Sequence, residues 1–130
     1  TLDDSIPGII QQGFDARLSG YTLYGAGVYF TTEICKALQY SNLKGADHAK
    51  PCSGHFFIAR VLLGHPYVAT GPMKSHKRPP MADQYGMPHD SVVAQPGIDN
   101  GRPGGQVHYE AAVPDGQAYP ELLVQFQYTP

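Results

Sequence analysis

Two tyrosines, Tyr29 and Tyr40, follow a Gly-x-Gly step at Gly25 and Gly27. Two aromatic faces can sandwich a flat, positively charged ring, each stacking pair contributing on the order of 1 kcal/mol beyond its buried area. Glycines let backbone approach such a ligand closely. On spacing alone, a tyrosine in an apolar strand is more often a core residue, and Gly-x-Gly without a full fingerprint says little. Other chemistries are poorly served. His108, Glu110 and a further histidine lack ligand spacing on one element, so no metal site is expected. Cys52 has no motif that pairs it with a histidine, and no Gly-x-Ser-x-Gly elbow occurs. The tyrosine-rich segments lack the basic flanks of a single-strand nucleic-acid platform.

The elements that must position these residues are legible in outline. A helix is predicted over 4–12, with Asp4 or Ser5 as cap, Pro7 in the first turn and Gly13 as the stop. Residues 27–31 read as a strand, and 32–40 as a helix capped by Thr32. Residues 55–63 form an almost unbroken apolar run, as expected of a central strand covered on both faces. Short strands are predicted at 67–69 and 91–94. The tail reads as a hairpin of 107–113 and 122–128, joined through Pro114-Asp115-Gly116, where Pro fixes φ and Gly supplies the open conformation. Twelve of the glycines and prolines fall between Gly71 and Gly105, an irregular stretch of a size that is usually functional or mobile. The class is α+β with strands dominating.

At 130 residues the chain fits one domain with a modest core. Nine basic against eleven acidic side chains leave a net charge of -2, so nothing argues for nucleic acid as the main partner. The cluster Lys74-Ser75-His76-Lys77-Arg78 reads as a solvated loop. No apolar run is long enough to span a bilayer, and no signal-peptide pattern is present. Cys35 and Cys52 make no disulfide framework and read as free thiols of a reducing compartment. The chain opens on Thr1 rather than Met, as an excised or processed piece would.

Gly13-Phe14-Asp15-Ala16-Arg17, then Tyr24-Gly25-Ala26-Gly27-Val28-Tyr29-Phe30, then Tyr40-Ser41, resemble in this order the NAD-binding core of the poly(ADP-ribose) polymerase family of ADP-ribosyltransferases. The resemblance continues. His55 to Gly64 is similar to the family's central strand, and Asp90-Ser91-Val92 to the short motif ahead of its last hairpin. Gln117-Ala118-Tyr119-Pro120-Glu121 is similar to its final-strand signature. It implies an ADP-ribosyltransferase fold of split antiparallel sheets with short helices, as one catalytic domain over 1–130. The family's triad is His, Tyr and a third residue that is Glu in polymer-forming members. Tyr29 matches the triad tyrosine and Tyr40 the second stacking tyrosine; the His, and the Gly after it, would precede Thr1. By the same resemblance Thr1, Ser5 and Asp15 lie near the adenosine and phosphate end of NAD; Gly27, which would let backbone approach the ligand closely, is a further candidate for binding it. The segment 15–23 resembles the loop that covers the donor.

Two departures bear on activity. Ala37 stands where many members keep a nicotinamide-binding serine, a loss of about 0.5–1.5 kcal/mol. The third triad position is ambiguous. A gapless count back from Gln117 reaches Tyr109, whereas the segment beginning at Glu110 resembles the one that opens with the catalytic Glu. Neighbouring strand residues face opposite ways, so only one of them enters the cleft unless a bulge intervenes. The gapless count leans to Tyr109. A carboxylate there would stabilise the oxocarbenium-like ribose formed as nicotinamide leaves; with Tyr109 inward, the acceptor must help. In the family a non-acidic third residue goes with transfer of single ADP-ribose units; with either residue inward, single-unit transfer from NAD is expected, to a protein side chain or to the enzyme itself. The expected setting is intracellular, cytoplasmic or nuclear, without membrane attachment. The alternative is a catalytically silent module of the same fold that binds NAD, ADP-ribose or a protein, which Ala37 and a non-acidic third position would suit.

Overall fold

A computed structural model describes residues 2–19, 21–41 and 49–130. Helix α1 (Leu2–Gln12) begins earlier than its capping residues predict, so Pro7 lies inside it rather than in its first turn. Gly13, at φ 80°, ends it as expected, its N–H donating to the Ile9 carbonyl at 2.8 Å. A 3₁₀ turn (Ala16–Leu18) leads into a small hairpin of β1 (Tyr21–Thr22) and β2 (Gly25–Ala26). Strand β3 (Val28–Phe30) follows, then α2 (Ile34–Leu38). The second helix is shorter than predicted: Glu33, in extended conformation, occupies the N-cap position expected for Thr32. Next come β4 (Cys52–Val61), β5 (Pro66–Val68), β6 (Ser91–Ala94), β7 (Glu110–Val113) and β8 (Ala118–Tyr128).

The strands sort into two larger sheets. One has the order β3-β7-β6-β5, with β5 and β6 parallel and the other pairs antiparallel. The other pairs β4 with β8, antiparallel, with an irregularity between Ile58 and Ala59. The expected terminal hairpin is therefore not formed. Strand β7 has both edges taken, by β3 and β6, and cannot accept β8. The turn at Pro114-Asp115-Gly116 instead sends the chain across to the second sheet, where long β8 matches long β4.

The apolar run of β4 is also not the doubly covered strand its composition predicts. Among the described residues only one edge is paired; Ile58 is 47% exposed, and Leu62 just beyond the strand is largely exposed. The core sits in the other sheet. All four residues of β6 are buried, as are Ala111, Ala112 and Val113 of β7. Tyr24, Ala69 and Met73 close over them, with Leu23, Tyr29, Tyr67 and Ile98 packed alongside. The irregular stretch between Gly71 and Gly105 thus contributes to the core rather than merely looping over it.

The motifs ahead of and after β7 join the two sheets. Ser91, fully buried, donates from Oγ to the Leu63 carbonyl at 2.7 Å. Asp90 Oδ2 accepts the His65 N–H at 2.6 Å. Gln117 Nε2 donates both to Leu62 O, at 2.9 Å, and to Asp90 O, at 3.0 Å. The end of β4, the start of β6 and the start of β8 are held together by these bonds.

Candidate functional site

Strand β3 fixes the first aromatic. The Tyr29 hydroxyl donates to Gly25 O at 2.7 Å and accepts the Tyr24 N–H at 3.0 Å. Gly25 and Gly27 admit close backbone neighbours. Both are at positive φ, 91° and 156°. A Cβ at Gly25 would lie 2.7 Å from the His76 carbonyl oxygen; one at Gly27 would lie 3.1 Å from Val113 O and 3.2 Å from Val113 N. These glycines let neighbouring backbone pack against the tyrosine turn.

Register sets which of Tyr109 and Glu110 shares a face with Tyr29. Tyr29 pairs with Ala112 across the β3–β7 ladder. Directly paired residues project to the same face, and side chains alternate along a strand. Glu110, two residues before Ala112, therefore shares the Tyr29 face. Tyr109 falls on the opposite face, against the lean of the gapless count, and lines an apolar groove of about 520 Å³ with Phe30, Phe57 and Ala111. No bulge is present in this ladder to reverse the alternation.

Glu110 is held by partners that sequence reasoning did not single out. Lys36 Nζ lies 3.7 Å from Oε1, with both side chains largely buried. Gln106 Nε2 donates to Oε2 at 2.9 Å. Gln106 is itself buried, its Oε1 accepting from Tyr24 Oη at 2.6 Å and Asn100 Nδ2 at 3.1 Å. This network fixes the carboxylate before any ligand arrives. Lys36 also places its ammonium 5.3 Å from the centre of the Tyr40 ring, within cation–π range. Tyr40 is 64% exposed, one turn along from Lys36. The one advance signal for Lys36 is this i, i+4 spacing; Gln106 had none.

Electrostatics tie the group together. Burial pushes the Tyr29 phenol above the usual tyrosine value, and the charge of Glu110 and the nearby Tyr40 add to it. Tyr24 is raised by burial and then by Glu110. Tyr109 is raised by burial alone. The Tyr29 phenol, the anchored Glu110 carboxylate and the Lys36 ammonium over Tyr40 thus form one electrostatically linked group.

The other expected positions are distributed differently. Ala37 lines the groove on the Tyr109 side. Asp15 caps the 3₁₀ turn, accepting the Arg17 N–H at 2.9 Å and pairing with Arg17 Nη2 at 2.7 Å. The Arg17 hydrogen bonds hold its carboxyl below the usual aspartate value. Its carboxylate is thus engaged within its own loop. That loop is anchored at a distance, because Asp115 Oδ1 accepts the Ala16 N–H at 2.5 Å. Ser5 lies on the exposed side of α1, and Thr1 is outside the described residues. The structure thus gathers Tyr29, Tyr40 and Glu110, while the Asp15 carboxylate is paired with Arg17.

Among the described residues, three potential metal-binding side chains, Glu33, Cys35 and His108, also come together, a grouping the sequence spacing had hidden. No helix of the described residues is long and apolar enough to cross a membrane.

A family model for the poly(ADP-ribose) polymerase catalytic domain matches residues 3–118. That span includes both glycines, both tyrosines, Lys36, Gln106 and Glu110. The chain belongs to the poly(ADP-ribose) polymerase catalytic-domain family and has its ADP-ribosyltransferase fold.

Proposed function

We propose that this protein transfers ADP-ribose from NAD to protein acceptors, itself included, with release of nicotinamide, and does so in single units. The observation that carries the reading is Glu110, set on the Tyr29 face and fixed by Lys36 and Gln106. As nicotinamide leaves, positive charge develops on the ribose. A preorganised carboxylate stabilises that charge without reorganising. Tyr29 and Tyr40 supply aromatic faces for the leaving ring. Both Glu110 oxygens have a partner in the fold, Lys36 for one and Gln106 for the other. An intracellular setting is supported by two unpaired thiols, Cys35 and Cys52.

A second reading, chain elongation, is favoured by the same register, since Glu at the third triad position accompanies polymer formation in the family. The deciding experiment is automodification of the full-length protein with labelled NAD, resolved by gel, beside Tyr29→Ala, Glu110→Gln and Tyr109→Phe. A discrete labelled band lost in Tyr29→Ala and Glu110→Gln, and kept in Tyr109→Phe, supports single-unit transfer. A ladder of high mass supports elongation. Absence of label with NAD still raising the melting temperature would leave a silent nucleotide-binding module.

A further inference from the structure

Away from the Tyr29–Glu110 face, three different donor atoms converge where α2 meets the segment leading into β7. Glu33 Oε2 lies 3.1 Å from His108 Nδ1. Cys35 Sγ lies 3.8 Å from the same nitrogen. All three donor atoms fall within 4.8 Å of one another.

That both contacts use Nδ1 separates two readings of a Cys–His–Glu group. A nucleophile relay needs the imidazole between its partners, one ring nitrogen toward the thiol and the other toward the carboxylate. Here oxygen, nitrogen and sulfur face one point. Donors around a tetrahedral zinc, bonded at about 2.0–2.3 Å, lie about 3.3–3.6 Å apart. The observed 3.1 and 3.8 Å need adjustments of only a few tenths of an ångström (roughly) to match. One thiolate, one imidazole and one carboxylate form a borderline-soft set, suited to zinc rather than to magnesium or calcium. Supporting bonds orient the donors. The Tyr109 N–H donates to Glu33 Oε2 at 2.9 Å, and the His108 carbonyl accepts from Gln106 Nε2 at 2.5 Å. Cys35 is exposed, which leaves an entry path, while Glu33 and His108 are partly buried.

We propose that Glu33, Cys35 and His108 bind a divalent cation of the zinc class, with solvent completing the tetrahedron. On binding, the Cys35 thiol gives its proton to solvent and coordinates as thiolate. The cation clips the start of α2 to the segment entering β7. Those elements carry Lys36 and Glu110, so the clip also braces that ion pair. The inference stands on this geometry and not on the proposed transferase activity.

The test is a Co²⁺ titration of the full-length, metal-stripped protein under a non-thiol reductant, reading the near-ultraviolet thiolate-to-cobalt band. Wild type is expected to take up one more equivalent showing this band than Cys35→Ser, displaced by Zn²⁺ and not by excess Mg²⁺. His108→Ala and Glu33→Gln weaken that equivalent about tenfold or more, and Cys52→Ser leaves it intact. Zn²⁺ is expected to raise the thermal midpoint of wild type and not that of Cys35→Ser, a surface change that leaves the far-ultraviolet spectrum unaltered. Equal metal uptake and equal thermal shift in wild type and Cys35→Ser would overturn the proposal, as would loss of the equivalent in Cys52→Ser.

Discussion

Replacing Glu110 with Gln removes one charge and almost no volume. The amide oxygen can still accept from Gln106 Nε2, so the buried Tyr24–Gln106 network is expected to survive. Under the proposed function, what is lost is the anion opposite the developing ribose cation. Opposite unit charges about 4 Å apart at an effective dielectric near 20 interact by about 4 kcal/mol. The amide dipole keeps part of this, leaving a deficit of about 2–3 kcal/mol, or about 30–150-fold in kcat. The change acts mainly on the transition state, so KM for NAD is expected to move by no more than about threefold. Lys36 loses its partner while largely buried, for a stability cost of about 1 kcal/mol. The assay is nicotinamide release at saturating NAD, beside thermal melting. A second readout checks the geometry: the Glu110 charge raises Tyr29 and Tyr24, so both phenols should titrate lower in the variant. Unchanged kcat, or a Tyr109→Phe variant that loses as much as Glu110→Gln, would refute the assignment of Glu110 to the reacting face.

Gly25→Ala places a Cβ 2.7 Å from the His76 carbonyl at positive φ, and is expected to lower stability by about 2–3 kcal/mol, seen as a melting temperature lower by several degrees. Asp115→Ala frees the Ala16 N–H; KM for NAD should rise a few-fold with kcat unchanged, at a stability cost of about 0.5–1.5 kcal/mol. Tyr24, Tyr29 and Tyr109 all titrate above the usual tyrosine value in the fold. The folded state thus keeps protons that the unfolded chain gives up near pH 10, so their contribution is intact below about pH 10 and lost as pH rises further. Denaturant melts from pH 8 to 11 should show this alkaline decline, steeper in wild type than in Tyr29→Phe.

Local features of the sequence determined the local structure. Gly13 ends α1 by entering positive φ, a conformation written into one residue. The apolar run Ser91–Ala94 is a buried strand at those bounds, because four successive apolar or small residues suit a strand covered on both faces. The ordered motifs around Tyr29 and Tyr40 marked the family, which residues 3–118 match. Tertiary structure decided what depends on distant partners. The residues 107–113 read as half of a hairpin; their real partners, β3 and β6, begin at Val28 and Ser91, and no local signal names a strand's neighbours. The side on which Glu110 lies follows from period-two alternation once Tyr29 is paired with Ala112, and a one-residue shift of that register would have exchanged it for Tyr109. Lys36 beside Glu110 and Cys35 beside His108 join positions more than seventy residues apart in sequence. A sequence shows the period of each strand, but the pairing that sets its phase is a contact between strands, and only the folded chain makes it.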